Sequence, residues 1–409
     1  VEVALGLSTI KSGSAIAISG SKSETNRLLL LQALYPNIHI QNTSNSDDSE
    51  VMEAALSSTA ETIDIHHAGT AMRFLTAYFA AQEGRTVVLT GSSRMKERPI
   101  QILVEALRQL GAQIEYTENE GFPPIKITGQ KITASKVALQ ANVSSQYISA
   151  LLLIASKLEN GIEISLEGPL TSIPYINMTL ALLHEMGIAT AFEENTIKVE
   201  PSINKEPKTL TVESDWSSAS YFYSIIALSE VGTTLKLSSF KKNSLQGDSA
   251  LVSIYENFGV TSTFEGDTIC LTKTYNAQPT THNLQLNNTP DIAQTIAVTC
   301  LGLGLGCHLT GLHTLKIKET DRLEALRIEL TKLGADVAVT DDTLILKATR
   351  TIHPNVNIET YNDHRMAMAF APLALKAPII IEDAEVVSKS YPNFWTDLKA
   401  IGFHISESH

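Results

Sequence analysis

Cysteine is scarce in this sequence. Cys270, Cys300 and Cys307 are the only ones in 409 residues, with no paired spacing and no histidine partners at metal-ligand spacing. Neither a disulfide framework nor a metal site is expected, and a reducing compartment fits. Long apolar runs are missing too. No stretch reaches the roughly 18 uninterrupted apolar residues of a spanning helix, and the opening "VEVALGLSTIKSG" lacks the layout of a secretion signal. A soluble, cytoplasmic protein with no membrane partner is expected. Positive charge is in deficit: 31 Lys and Arg stand against 44 Asp and Glu, a net charge of -13. Nucleic acid is therefore not an expected partner, because its binding relies on many cationic contacts to phosphates. Any anionic ligand has to be drawn by cations concentrated locally.

The chain does contain a repeat. With 43% hydrophobic residues over this length, two or three domains are expected. Helix-like stretches ending in an apolar residue and Gly, followed by a short alternating strand, recur in "ILVEALRQLGAQIEY", "TLALLHEMGIATAFEENTIKVE", "LVSIYENFGVTSTFEGDTICLT", "LRIELTKLGADVAVTDDTLILK" and "FWTDLKAIGFHI". Their glycines, Gly111, Gly187, Gly259, Gly334 and Gly402, fall roughly 70 to 75 residues apart. A weaker copy, "SEVMEAALSSTAETIDI", has no such Gly. Between these copies lie helices that are apolar nearly all round and hence buried, among them "LLLLQALY", "YISALLLIASKL" and "SASYFYSIIALS". Six α/β units, two halves of three, are expected. The glycines of "GLGLG" end a helix instead of opening one, so a dinucleotide fingerprint is discounted.

Ahead of the buried helices stand "GSKSETNR", "HHAGTAMR", "NVSSQ", "ESDWSS", "NTPD" and "YNDHR", all small, hydroxylated or charged. A helix N-terminus offers free N–H groups and partial positive charge, suited to phosphate or carboxylate. Lys22, Arg27, Arg73 and Arg365 are expected to join one positive pocket. Two further segments, "SRMKERPI" and "KIKETDR", cluster cations. If the second is helical, Lys318 and Arg322 share a face with Glu319 adjacent; a salt-laced surface helix is the plainer alternative. Asp291 reads equally as a helix cap. Together these elements suggest a site for more than one phosphate or carboxylate, with acids available for proton transfer.

As a set, "GSKSETNR", "AGTAMR", "RMKERPI", "KETDR", "YNDHRMAMAF" and "SKSYPNF" resemble the 3-phosphoshikimate 1-carboxyvinyltransferase (5-enolpyruvylshikimate-3-phosphate synthase) family, in order along nearly the whole chain. The resemblance implies an α/β fold, a two-domain inside-out α/β barrel of three βαβαββ units per domain. One domain would comprise residues 1–12 plus 214–409 and the other 13–213, with cleft and hinge near 13 and 214. It implies transfer of the enolpyruvyl group of phosphoenolpyruvate to the 5-hydroxyl of shikimate 3-phosphate, without cofactor or metal, by a monomer. Lys22, Ser23, Arg27, Ser144, Ser145, Gln146, Ser172, Tyr175, Asp291, Thr314 and Lys318 would hold shikimate 3-phosphate. Lys22, Gly69, Arg98, Gln146, Arg322, His364, Arg365 and Lys389 would hold phosphoenolpyruvate. Asp291 matches the family's base for the hydroxyl; Glu319 or Lys22 would protonate the methylene carbon, and His364 would help or orient.

The sequence departs from the family at His67, where Asn is usual, at Phe74, where Pro is usual, and at Thr314, where many members have Asn. Only about 18 residues run from "SDDSEVM" to "HHAGT", so one N-terminal unit is expected to be trimmed and to expose a sheet edge. Gly69 is retained where the herbicide glyphosate binds in the family, and sensitivity is expected. The rival readings are the related enzyme that acts on UDP-N-acetylglucosamine, whose usual loop cysteine has no counterpart in "RMKERPI", and a non-catalytic anion-binding relative.

Overall fold

A computed structural model describes every residue except 143, 171, 172, 204, 205 and 409, with the backbone alone at residue 408. The chain forms two compact units, Gly20–Val212 and, from both chain ends, Val1–Ser19 with Glu213–His409. The first crossing thus lies at Ser19/Gly20 and not near residue 13. Ser14–Ile16 is a strand paired in parallel with Thr234–Leu237, which binds it to the unit of the chain ends. At the second crossing, the Ser214 backbone N–H donates to the Ser239 carbonyl at 2.9 Å and its hydroxyl to the Ile18 carbonyl at 2.5 Å, holding both passing segments on the same unit.

Among the described residues, five four-stranded sheets share one plan and a sixth keeps only its parallel pair. In the unit Gly20–Val212, Thr62–Asp64 and Thr86–Thr90 pair in parallel across the helix Gly69–Ala80, and Ile125–Thr128 and Gln113–Tyr116 extend the sheet antiparallel. Lys136–Gln140 and Ile162–Glu167, across Ser145–Ala155, do the same with Thr196–Val199 and Thr190–Glu193. In the other unit, Thr281–Gln285 and Gly306–Thr310 flank the helix Ala293–Leu303, while Val356–Ile358 and Ile379–Ile381 flank His364–Phe370. The last of these sheets is completed by the two chain ends, Glu2–Leu5 and Ile405–Ser408. The crossings exchange partners: Ser14–Ile16 pairs with Thr234–Leu237, and Lys208–Thr211 pairs in parallel with Ile38–Gln41.

The helices that are apolar all round lie inside. Every residue of Trp216–Leu228 is buried, and this helix packs on Ala293–Leu303, which in turn packs on His364–Phe370. Fully burying each large apolar side chain contributes about 1.5–3 kcal/mol, so the sheets are held outside by their helices. The amphipathic helices end as the repeat anticipates. Gly111, Gly187, Gly259, Gly334 and Gly402 all have positive φ, from 77 to 119°, where a β-carbon meets the carbonyl oxygen. The weak copy lacks Gly because its helix, Asp47–Ser57, stops at Ser58 in an extended conformation (φ -72°). That unit is the trimmed one. Its sheet has two strands where the others have four, and the chain passes from Asp47–Ser57 straight to the first strand of the next sheet. His39 and Gln41 on the shortened sheet are exposed.

Candidate active site

In the unit Gly20–Val212, Ser21 caps the helix Lys22–Leu34 by accepting from the Glu24 N–H at 3.4 Å. Lys22 and Ser23 stand half-buried in its first turn, beside N–H groups that no helical carbonyl can satisfy. Lys22 Nζ donates to Asp48 Oδ2 at 3.0 Å. Ser144 caps the helix Ser145–Ala155, accepting from the Gln146 N–H at 3.3 Å, and Ser145 is buried. Gln146 Nε2 donates to Thr70 Oγ1 at 3.0 Å, which joins this helix start to that of Gly69–Ala80.

Arg98 lies against Gly69: a β-carbon at residue 69 would stand 2.4 Å from Nη1. Arg73 holds that arrangement. It donates to the Gly69 carbonyl at 3.1 Å and the Pro99 carbonyl at 2.9 Å, and the Tyr147 hydroxyl donates to the same Pro99 oxygen at 2.6 Å. With 3% exposure, Arg73 is an internal brace and not the pocket cation the sequence suggested. Burial, and next the Arg98 charge, pull its guanidinium down to about 10.

Arg27 is also turned inward, at 2% exposure. It donates to Thr179 Oγ1 at 2.7 Å, Ser149 Oγ at 3.0 Å and the Ser23 carbonyl at 2.8 Å. Phe74, a departure from the family, lies beneath it at 5.3 Å and Tyr175 at 5.8 Å. Arg27 thereby ties the helix start that carries Lys22 and Ser23 to two neighbouring helices, and burial pulls it down to about 10. Ser172 lies outside the described residues. His67 lines a hollow with His66, Asp47, Asp48 and Glu50, but among the described residues no group of three or more His, Cys, Asp or Glu could hold a metal ion.

In the other unit, three cations from two segments converge on Asp291, which sits in the turn Pro290–Ile292 before the helix Ala293–Leu303. Arg322 Nη1 donates to Asp291 Oδ1 at 3.0 Å; Lys318 Nζ stands 3.5 Å from the same oxygen, and Arg365 Nη2 3.8 Å from Oδ2. Lys318 and Arg322 do not share a helix face. The helix begins at Arg322 because Asp321 caps it, accepting from the Glu324 N–H at 3.1 Å, and Lys318 is extended backbone after a short turn, His313–Ile317. Both still reach Asp291. Arg322 also donates to Glu319 Oε2 at 2.7 Å and Asp363 Oδ2 at 2.6 Å. His364 is buried, with Nδ1 3.7 Å from Asp363 Oδ1. Lys389 Nζ donates to the Asn362 carbonyl at 2.6 Å and to its Oδ1 at 2.9 Å. Thr314 has a buried hydroxyl with no hydrogen-bond partner among the described residues.

Burial works to raise the Asp291 carboxyl, but Lys318, Arg365 and Arg322 override it and hold the group well below the usual carboxylate range. Arg365 moves the opposite way: burial lowers it, and Asp291 foremost among several acids raises it above its ordinary value. An anion received by these cations would draw them off Asp291 and make it a stronger base. Sequence reasoning missed four acids at or near this machinery. Asp363, 0% exposed, aligns Arg322; Asp48 partners Lys22; Asp248 accepts from Ser217 Oγ and from Thr289 Oγ1, two residues before Asp291; and Glu329 lies buried behind the "YNDHR" turn. Only Asp363 carried a signal, an acid inside the cationic motif "YNDHR".

A family model for EPSP synthase (3-phosphoshikimate 1-carboxyvinyltransferase) matches residues 45–398. The 3-phosphoshikimate 1-carboxyvinyltransferase of Bacteroides fragilis is 45% identical over 395 residues, covering 95% of this chain and 95% of its own. That of Haemophilus influenzae is 37% identical over 421 residues, covering 94% and 96%. The solved EPSP synthase from Acinetobacter baumannii superposes with a TM-score of 0.80 at 22% identity, over 99% of this chain and 100% of that one. The enolpyruvyl transferase NikO from Streptomyces tendae gives 0.75 at 14% identity, over 100% and 98%. At those identities the structural likeness bears on the fold alone.

Proposed function

The chain belongs to the EPSP synthase family, and from that premise we propose how its residues carry the reaction. The enzyme transfers the enolpyruvyl group of phosphoenolpyruvate to the 5-hydroxyl of shikimate 3-phosphate and releases phosphate. The observation that carries the assignment of roles is Asp291, a carboxylate held at 3.0 to 3.8 Å by three cations from two segments, Lys318 and Arg322 from one and Arg365 from the other.

Asp291 takes the proton of the 5-hydroxyl as its oxygen bonds to C2 of phosphoenolpyruvate. The methylene carbon gains a proton, from Glu319 or Lys22, and a tetrahedral ketal phosphate forms. That carbon then loses a proton, the C2–phosphate oxygen bond breaks, and phosphate leaves. Arg322, Arg365 and Lys389 in one unit, with Lys22, Arg98 and Gln146 in the other, receive phosphoenolpyruvate. Ser23, Ser144, Ser145, Ser172, Tyr175 and Lys318 receive shikimate 3-phosphate, Thr314 adds a hydroxyl, and Arg27 braces the helix start from within. Fixed cations stabilise the charge that develops in both steps, commonly the largest contribution to such catalysis.

Phosphoenolpyruvate arriving on Arg322 and Arg365 would release Asp291 from part of its ion pairing when a base is needed. We place the enzyme in the cytoplasm as a monomer; no helix among the described residues is long and apolar enough to cross a membrane. Phosphate release tests the assignment. It is expected with phosphoenolpyruvate plus shikimate 3-phosphate and not with phosphoenolpyruvate plus UDP-N-acetylglucosamine; the reverse would favour the rival transferase, and no release in either case the non-catalytic relative.

A further inference from the structure

We infer that Glu329 and Tyr361 are a positioning pair that locks the turn delivering Asp363 and Arg365, an inference that rests on the reading of Arg322 and Arg365 as the phosphoenolpyruvate grip. Glu329 belongs to the helix Arg322–Lys332 and is 0% exposed. Burying a carboxylate is costly unless donors meet it, and three do. Glu329 Oε1 accepts from the Tyr361 hydroxyl at 2.7 Å, while Oε2 accepts from the Glu359 N–H at 3.2 Å and from Lys332 Nζ at 2.9 Å. Two of the three donors belong to the turn. Burial, and then the bond to Glu329, push the Tyr361 phenol upward, so it stays protonated and donates.

The turn needs holding. Tyr361 and Asn362 have φ of 53° and 57°, consecutive left-handed residues with neither a glycine. A relaxed turn would aim the following residues elsewhere. Immediately after it, Asp363 caps the helix His364–Phe370, accepting from the Arg365 N–H at 2.9 Å, and also takes Arg322 Nε at 2.6 Å. One helix therefore grips the turn on both sides, Glu329 before it and Arg322 after it, while Lys389 fastens Asn362 from a third segment. The aim of Arg365, and the alignment of Arg322, follow from whether this turn keeps its left-handed pair.

Tyr361→Phe tests the inference, since it deletes one donor and keeps the ring. Steady-state kinetics should show the KM for phosphoenolpyruvate raised about tenfold, the loss expected for one hydrogen bond to a charged group. The KM for shikimate 3-phosphate should stay within about twofold, and the thermal midpoint should fall by no more than a few degrees. Glu329→Ala should exceed it and Glu329→Gln, which keeps an acceptor, should fall between. If the Glu329 variants do not fold, Tyr361→Phe alone decides. An unchanged KM for phosphoenolpyruvate, or equal rises for both substrates, overturns the inference. Arg365→Lys measured alongside separates the two levels. If it raises that KM while Tyr361→Phe does not, the pair is structural and the reading of Arg322 and Arg365 as the phosphoenolpyruvate grip stands; if Arg365→Lys has no effect, both fail.

Discussion

The guanidinium of Arg98 lies so close to Gly69 that a β-carbon there would stand 2.4 Å from Nη1 and 2.7 Å from Cζ. Gly69→Ala should therefore displace Arg98, which we propose receives phosphoenolpyruvate. Losing a charge-assisted hydrogen bond costs about 1.5–3 kcal/mol, so the KM for phosphoenolpyruvate should rise by about tenfold or more. Shikimate 3-phosphate binding, followed by calorimetry, should change little.

Asp291→Asn keeps the shape of the residue and removes the carboxylate we propose as the base. Turnover should fall by about 10²–10⁴, the usual contribution of a positioned base. Neither KM should rise comparably, because Lys318, Arg322 and Arg365 are then less neutralised. Steady-state kinetics check this, and turnover at the unsubstituted level would remove Asp291 from the role.

The same residue predicts a pH dependence of stability. Its carboxyl is held below the usual range in the folded protein, so the stability it contributes is present above the unfolded value of about 3.9. That contribution is lost as pH falls through the folded value. The thermal midpoint of the unsubstituted protein should exceed that of Asp291→Asn at pH 7 to 5, and the gap should narrow progressively below about pH 4.

Arg73→Ala should act through structure and site together. It takes one donor from the Gly69 carbonyl and one from the Pro99 carbonyl, which keeps the Tyr147 hydroxyl, and opens a cavity, costing about 2–4 kcal/mol. Calorimetry should register a lower unfolding temperature, and kinetics a higher KM for phosphoenolpyruvate as the segment bearing Arg98 loosens.

What was legible in the sequence follows the physics of each signal. Gly111, Gly187, Gly259, Gly334 and Gly402 announced helix ends because a left-handed residue favours glycine wherever it falls. The short run after "SDDSEVM" announced the trimmed sheet because strands need residues. Cationic motifs singled out candidate site residues, but not which way each cation turns. Arg27 and Arg73 look like Lys22 and Arg98 in sequence, yet their guanidinium groups serve Ser149, Thr179 and the Pro99 carbonyl. Strand pairing, which moves the first crossing to Ser19/Gly20, links Ser14–Ile16 to residues far along the chain. Spacing also misplaced Lys318, since Asp321 starts the helix after it. Glu329 was invisible for a related reason: only the fold brings it to Tyr361.

The proposal turns on Arg98 and Arg365 both receiving phosphoenolpyruvate. Its most direct test is a double-mutant cycle on the KM for phosphoenolpyruvate, with Arg98→Ala from one unit and Arg365→Ala from the other, at saturating shikimate 3-phosphate. Each single variant should raise that KM at least about tenfold, and together they should raise it further while the affinity for shikimate 3-phosphate changes far less. A wild-type KM in either single variant would contradict the account.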